Sequence, residues 1–261
     1  MDAVNKTLYI PLYGKSCVSR SGLFIQDKMA EEIWNREGFA LKGKAKSKWL
    51  AYTMGMRAAV FDRWTEDVLA QEPGAVVLHL GCGLDSRVQR VKQKSGCWYD
   101  VDFPEVIAER KRYFAQQEGY CMLGADLRQM QWLDQVADAQ TAVVVMEGIS
   151  MYLQIQELQA LMKMLGDRFC RVHLLMDAYT VFAAKASRYK NPINTVGVST
   201  VYGFNRPEDA VGTSRLRYIR EFDLTPEDMI LQLPKGEQGF FRTMFAGKTA
   251  KKFCRLYAYE A

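Results

Sequence analysis

The sequence predicts an α/β fold, a mostly parallel, doubly wound sheet behind a helical N-terminal segment. Three observations predict it. Short apolar runs alternate with helix-length stretches from Val76 to Met176, each run closes on a glycine or an acid, and the first third of the chain is spaced for helices. Strands that alternate with helices imply βαβ units and hence parallel pairing. All 261 residues read as one domain, with residues 1–73 as a helical cover and 74–261 as the core.

The elements follow in order. Residues 30–43 and 49–70 carry apolar side chains at helical spacing, the second stretch with Asp62, Arg63, Glu66 and Asp67 toward water. Pro73-Gly74 ends it. Val76 to Leu80 is a short buried strand, and Gly81-Cys82-Gly83 a tight turn. A helix is expected over Leu84 to Lys94, and a second strand over Cys97 to Asp102. Pro104 opens a helix through about Gln117, with Asp102 near its cap; a proline costs nothing in the first turn. Tyr120 to Ala125 and Thr141 to Met146 are strands three and four. Gln154 to Phe169 is a helix, and Arg171 to Met176 a fifth strand closing on Asp177. Beyond Tyr179 the pattern weakens. Asn191 to Gly203 reads as loop. Residues 215–222 and 253–260 read as a final antiparallel pair, with a helix opened by Pro226 between them.

Composition narrows the function. The chain is 49% hydrophobic and 25% charged, with a formal charge of +5. Acids lie among the basic residues, and the one local excess, Lys42, Lys44, Lys46 and Lys48, reads as a solvated segment. No basic stripe with interleaved aromatics points to nucleic acid, while an anionic small substrate is compatible. Six cysteines form no C-x-x-C pair and no cluster with either histidine, so neither a metal site nor a disulfide framework is expected. A reducing, cytoplasmic setting fits. No secretory signal and no membrane span is legible.

Gly81 and Gly83 follow the first strand, and Asp102, Asp126 and Glu147 end the next three. In an open parallel sheet these ends share one edge, where ligands bind. Glycine lets the backbone approach a ligand, yet Ser86 stands where the dinucleotide fingerprint has its third glycine. Asp102, about 20 residues past the glycines, can accept hydrogen bonds from both ribose hydroxyls. It could equally cap the helix before Pro104. Asp126 could accept from an adenine amine or cap a turn.

VVLHLGCGLDSRVQRV, WYDVDFPEVIAERKRYF and VVVMEGISMYL together resemble the leucine carboxyl methyltransferase family, closest to its bacterial, polyketide O-methyltransferase branch. TLYIPLYGKSCVSR, FIQDKMAEEI and RAAVFD fit the same branch upstream, in order. The resemblance covers about Thr7 to Asp177 and is diffuse from Pro192 onward. It implies a Rossmann-like fold that binds S-adenosylmethionine (SAM), releases S-adenosylhomocysteine, and methylates an oxygen of a small-molecule acceptor. On matching positions, Arg57 would pair with the methionyl carboxylate, assisted by Lys15. Gly81 and Gly83 would admit the methionyl and ribose part, Asp102 would hold the ribose, Asp126 and Leu127 would contact the adenine, and Glu147 would lie near the methionyl amine. Without the resemblance, a surface arginine is the lesser alternative for Arg57, whereas a loop lysine such as Lys15 is most often solvated.

Methyl transfer is an in-line displacement, so the protein chiefly aligns donor and acceptor. A carboxylate acceptor is ionised at neutral pH and needs no base; a hydroxyl would gain from one. His79 and His173 both lie in strands, as core histidines do, which favours a carboxylate. Tyr152 and Tyr179 could line the acceptor pocket or simply pack, and Phe240, Phe241 and Phe245 could bind a planar acceptor or belong to the core. Three rival readings remain, an NAD-dependent oxidoreductase, a non-catalytic SAM-binding regulator and, disfavoured by the bacterial-type motifs, a methyltransferase acting on a protein C-terminus. The oligomeric state is not legible.

Overall fold

The computed structural model describes residues 8–37, 46–92, 96–190 and 200–261. Lys42, Lys44, the end of the first expected helix and most of the Asn191–Gly203 loop lie outside the described residues.

Three helices lead: α1 (Tyr9–Arg20), α2 (Lys28–Glu37) and α3 (Lys48–Gln71). The core then alternates as expected: β1 (Val76–Leu80), α4 (Arg87–Arg90), β2 (Trp98–Asp102), α5 (Pro104–Arg110), β3 (Tyr120–Gly124), β4 (Thr141–Met146), α6 (Ile155–Arg168), β5 (Arg171–Tyr179) and α7 (Val181–Lys190). It ends with β6 (Arg217–Phe222), α8 (Glu227–Ile230), α9 (Lys235–Phe245), α10 (Gly247–Lys251) and β7 (Cys254–Glu260). The strands form one sheet in the order β3-β2-β1-β4-β5-β7-β6. The first five run parallel, and β7 is antiparallel to both β5 and β6.

The central strands are apolar on both faces because both are covered. Val76, Leu78, Leu80, Ala142, Val144 and Met146 pack with Leu158, Leu161, Met162 and Leu165 of α6. The alternate residues Val77, Val143 and Val145 pack with Phe61, Trp64 and Leu69 of α3 and with Leu12 and Ile33. α3 also carries Met56 and Val60 into a cluster with Met229, Ile230 and Phe241. The edge strand β6 reads RYIREF and has no buried residue; its charges suit an edge that must not recruit further strands.

Several expectations are corrected. The helix expected over Leu84 to Lys94 is the single turn α4, because Asp85, Ser86, Arg87 and Arg90 all turn inward to buried partners. Asp62, expected in water, is buried and accepts from Arg87 Nε at 2.7 Å and Arg90 Nε at 2.6 Å. α5 stops at Arg110, whose fully buried guanidinium is tied to Asp100 and to the Gly83 carbonyl at 3.0 Å, well short of Gln117. Asp102 does not cap α5; Phe103 holds that position without a side-chain bond. β5 runs three residues beyond Met176 because its last residues pair with β7, Tyr179 opposite Cys254.

Candidate functional site

The strand ends meet a cavity of about 1060 Å³. Lys15, Arg57, Gly81, Gly83, Asp102, Asp126, Leu127, Glu147, Tyr152 and Tyr179 all line it. The structure therefore brings the proposed cofactor positions and both candidate acceptor tyrosines to one cavity. His79, Cys82, Asp85 and Arg128 line it as well.

The turn after β1 shapes its floor. Gly81 adopts φ +67° and Gly83 φ +52°, a region other residues avoid. Gly83 N–H donates to Asp102 Oδ2 at 2.8 Å, and Phe103 N–H donates to Oδ1 at 2.8 Å. Burial nevertheless pushes the Asp102 carboxyl up to about 6, against those two donors and Arg110. Past β3, Asp126 is clamped by Arg128, with Nε at 2.8 Å and Nη2 at 2.6 Å, and that contact holds its carboxyl below the usual range.

Past β4 the charges are buried. Glu147 accepts from Arg57 Nε at 3.1 Å and from Arg87 Nη2. Burial opposes its ionisation, but Lys15, Arg57 and Arg87 hold its carboxyl at about 2, so it is an anion. Arg57 also donates through Nη1 to Asp177 Oδ2 at 2.7 Å. Lys15 pairs with Asp85 at 2.7 Å and is itself buried. Lys15 is thus not the solvated loop lysine that its sequence context alone suggests, and Arg57 is buried too.

His79 is a satisfied core histidine. Arg87 Nη1 can only donate, so the imidazole Nε2, 3.2 Å away, is the acceptor, and Nδ1–H donates to Asp100 at 3.0 Å. Burial lowers its basicity further. His173 sits at the far end of the sheet beside Glu260. The aromatic trio divides: Phe241 is core, Phe245 lines the cavity, and Phe240 is half-exposed against Trp49.

Asp62, Asp85, Arg87 and Asp177 were not singled out. The sequence carried one signal for Asp85 and Arg87, which lie just after the glycine turn, past Leu84. Among the described residues, no group of three or more His, Cys, Asp or Glu is arranged to hold a metal ion. No helix among them is long and apolar enough to cross a membrane.

The fold is shared with known methyltransferases. Magnesium protoporphyrin IX methyltransferase (ChlM) from Synechocystis PCC 6803 with bound SAH superposes with a TM-score of 0.52 at 13% identity, covering 88% of this chain and 93% of that one. A putative methyltransferase from Thermobifida fusca gives 0.52 at 13% identity, covering 84% and 88%. In sequence, the chain is 29% identical over 209 residues to the tetracenomycin polyketide synthesis O-methyltransferase TcmP of Streptomyces glaucescens, covering 79% of this chain and 77% of the relative. It is 27% identical over 186 residues to the SAM-dependent methyltransferase dpfgK of Gibberella zeae, covering 65% and 62%. The profile of the leucine carboxyl methyltransferases matches residues 6–166, more than half of the sequence. On that match the chain belongs to the leucine carboxyl methyltransferase family, an assembly of SAM-dependent methyltransferases on a Rossmann-like fold.

Proposed function

We propose that this enzyme methylates an oxygen of a small, largely apolar acceptor, a carboxylate before a hydroxyl. One observation carries this reading. From Gly148 onward, the described cavity lining contains no Asp, Glu, Lys, Arg or His. Ile149, Met151, Leu224, Met244, Phe245 and Phe253 dominate that half, with Tyr152 and Tyr179 among them. A site without an obvious base suits an acceptor that is nucleophilic unaided. The similarity to TcmP, a polyketide synthesis O-methyltransferase by name, points the same way.

The polar half fits SAM. A Cβ on Gly81 would collide with Ile149, so the open cradle depends on glycine. An anionic Glu147 suits a cationic amine, and a carboxylate at Asp102 suits ribose hydroxyls. In this reading Arg57 and Lys15 meet the methionyl carboxylate, while Asp126 and Leu127 flank the adenine. SAM supplies an electrophilic methyl on a sulfonium. The chain's own part is to align the acceptor oxygen and exclude water; the apolar half does both, and a desolvated carboxylate is the better nucleophile. Family membership removes the oxidoreductase reading. We further place the enzyme, as a single domain, in the reducing cytoplasm, a reading supported by six free thiols.

Calorimetric titration with SAM and, separately, NAD on wild type and Asp102→Ala tests the cofactor half. SAM should bind, and the variant should lose roughly 1–3 kcal/mol. Turnover assayed on paired aromatic carboxylic acids and phenols tests the acceptor half. Methylation of phenols alone would sink the carboxylate assignment, and no turnover on any acceptor would favour a regulator.

A further inference from the structure

One fully buried carboxylate behind the cavity wall, already met as a partner of Arg57, has been given no role in the site. Asp177 lies in β5, one step past the Met146–Met176 pair that joins β5 to β4, next to Glu147. Its two oxygens serve different masters. Oδ2 accepts from Arg57 Nη1 at 2.7 Å, and Oδ1 accepts from Gly148 N–H at 2.7 Å. Arg57, Glu147 and Gly148 line the cavity, whereas Asp177 does not.

We propose that Asp177 is a positioning residue for SAM, tying the Arg57 guanidinium to the Gly148 turn so that Nη2 faces the methionyl carboxylate. The proposal rests on Arg57 being that carboxylate's partner. Arginine reaches from a long, rotamer-rich stem, and holding it in advance spares that entropy on binding. Glu147 is a weak sole anchor because Arg87 shares it. Among the described residues, Asp177 forms no ion pair with another cation, and it joins Arg57 to backbone. Neither ion pair of Arg57 uses Nη2. Nη2 lies 3.5 Å from where a Cβ on Gly148 would stand, so the guanidinium runs along the open face of a glycine held at φ +77°.

Charge and orientation make opposite forecasts. Were Asp177 only a negative charge, its removal would strengthen attraction for a ligand carboxylate. As a positioning group, its removal weakens binding, and only for ligands that carry the amino-acid portion. The test titrates wild type, Asp177→Asn and Arg57→Lys with S-adenosylhomocysteine and with 5′-methylthioadenosine, which lacks that portion. Asp177→Asn should weaken S-adenosylhomocysteine roughly ten- to a hundredfold, the worth of one charge-assisted hydrogen bond, and leave methylthioadenosine within about twofold. Equal loss for both ligands, no loss, or tighter binding overturns the proposal. Selective loss in Arg57→Lys without it in Asp177→Asn sinks Asp177 alone. No selective loss in Arg57→Lys sinks the reading of Arg57 beneath it. Asp177→Glu, which keeps the charge but shifts the carboxylate by one methylene, is the second variant and should show the same selectivity. If circular dichroism shows that neither variant folds, Asp177 is a determinant of the fold and the proposal fails.

Discussion

Replacing Gly81 with alanine tests the turn on which the cavity rests. Two costs follow from its geometry. The backbone sits at φ +67°, where an L-residue pays roughly 1–2 kcal/mol. The new Cβ would stand 2.0 Å from Ile149 Cγ2, so the core must yield at an overpacking cost of about 1–3 kcal/mol. Together the loss is about 2–5 kcal/mol, or a Tm lower by roughly 4–20 °C for a chain of this size. Urea unfolding of wild type, Gly81→Ala, Ile149→Ala and the double variant separates the two parts. The cycle should return a coupling of about 1–3 kcal/mol, because shortening Ile149 relieves the clash but not the dihedral strain. A Gly81→Ala protein within about 0.5 kcal/mol of wild type would refute the argument, as would strictly additive losses.

Asp102 gives a pH signature. Its folded pKa of about 6 exceeds the ordinary 3.8, so between those values the folded state binds the proton more tightly and ligand-free stability falls as pH rises. Asp102→Asn lacks this penalty, so its stability relative to wild type should improve by up to about 3 kcal/mol between pH 3 and pH 7.5, read from melting curves. A difference independent of pH would contradict the assignment. The same ionisation should weaken SAM binding by wild type below pH 6, with a flat profile in the variant. Arg110→Met leaves Asp100 buried without its guanidinium and should cost about 3–5 kcal/mol by urea unfolding. Tyr152→Phe and Tyr179→Phe should each lower kcat less than about tenfold on a carboxylate acceptor; a loss of roughly 10²–10⁴ at either would identify a general base.

What the sequence revealed depended on how local the cause was. Thr141 to Met146 was legible to the residue, because an unbroken apolar run admits few other fates once both faces are buried. The acids at the strand ends were legible too, since each closes its own strand. α1 was not, because Pro11 masks it; a proline in the first turn forgoes an N–H that no helix uses. Buried charge hid best. Asp62, Arg87 and Arg90 have the letters of a solvated surface, and only the meeting of α3 with the β1 turn makes them interior. Likewise β5 continues past Asp177 on account of Arg255 and Cys254, some 75 residues away in sequence, a distance over which periodicity carries no information.

The place of β7 has a consequence for how the chain is made. Although last in sequence among the described strands, it lies inside the sheet between β5 and β6. During synthesis, β5 therefore shows a bare edge until Cys254–Glu260 leaves the ribosome, and β6 waits with no neighbour at all. An unpaired apolar strand edge is a template for aggregation. The nascent protein thus stays exposed to misassembly until β7 is out, and its dependence on chaperones should peak just before that strand emerges.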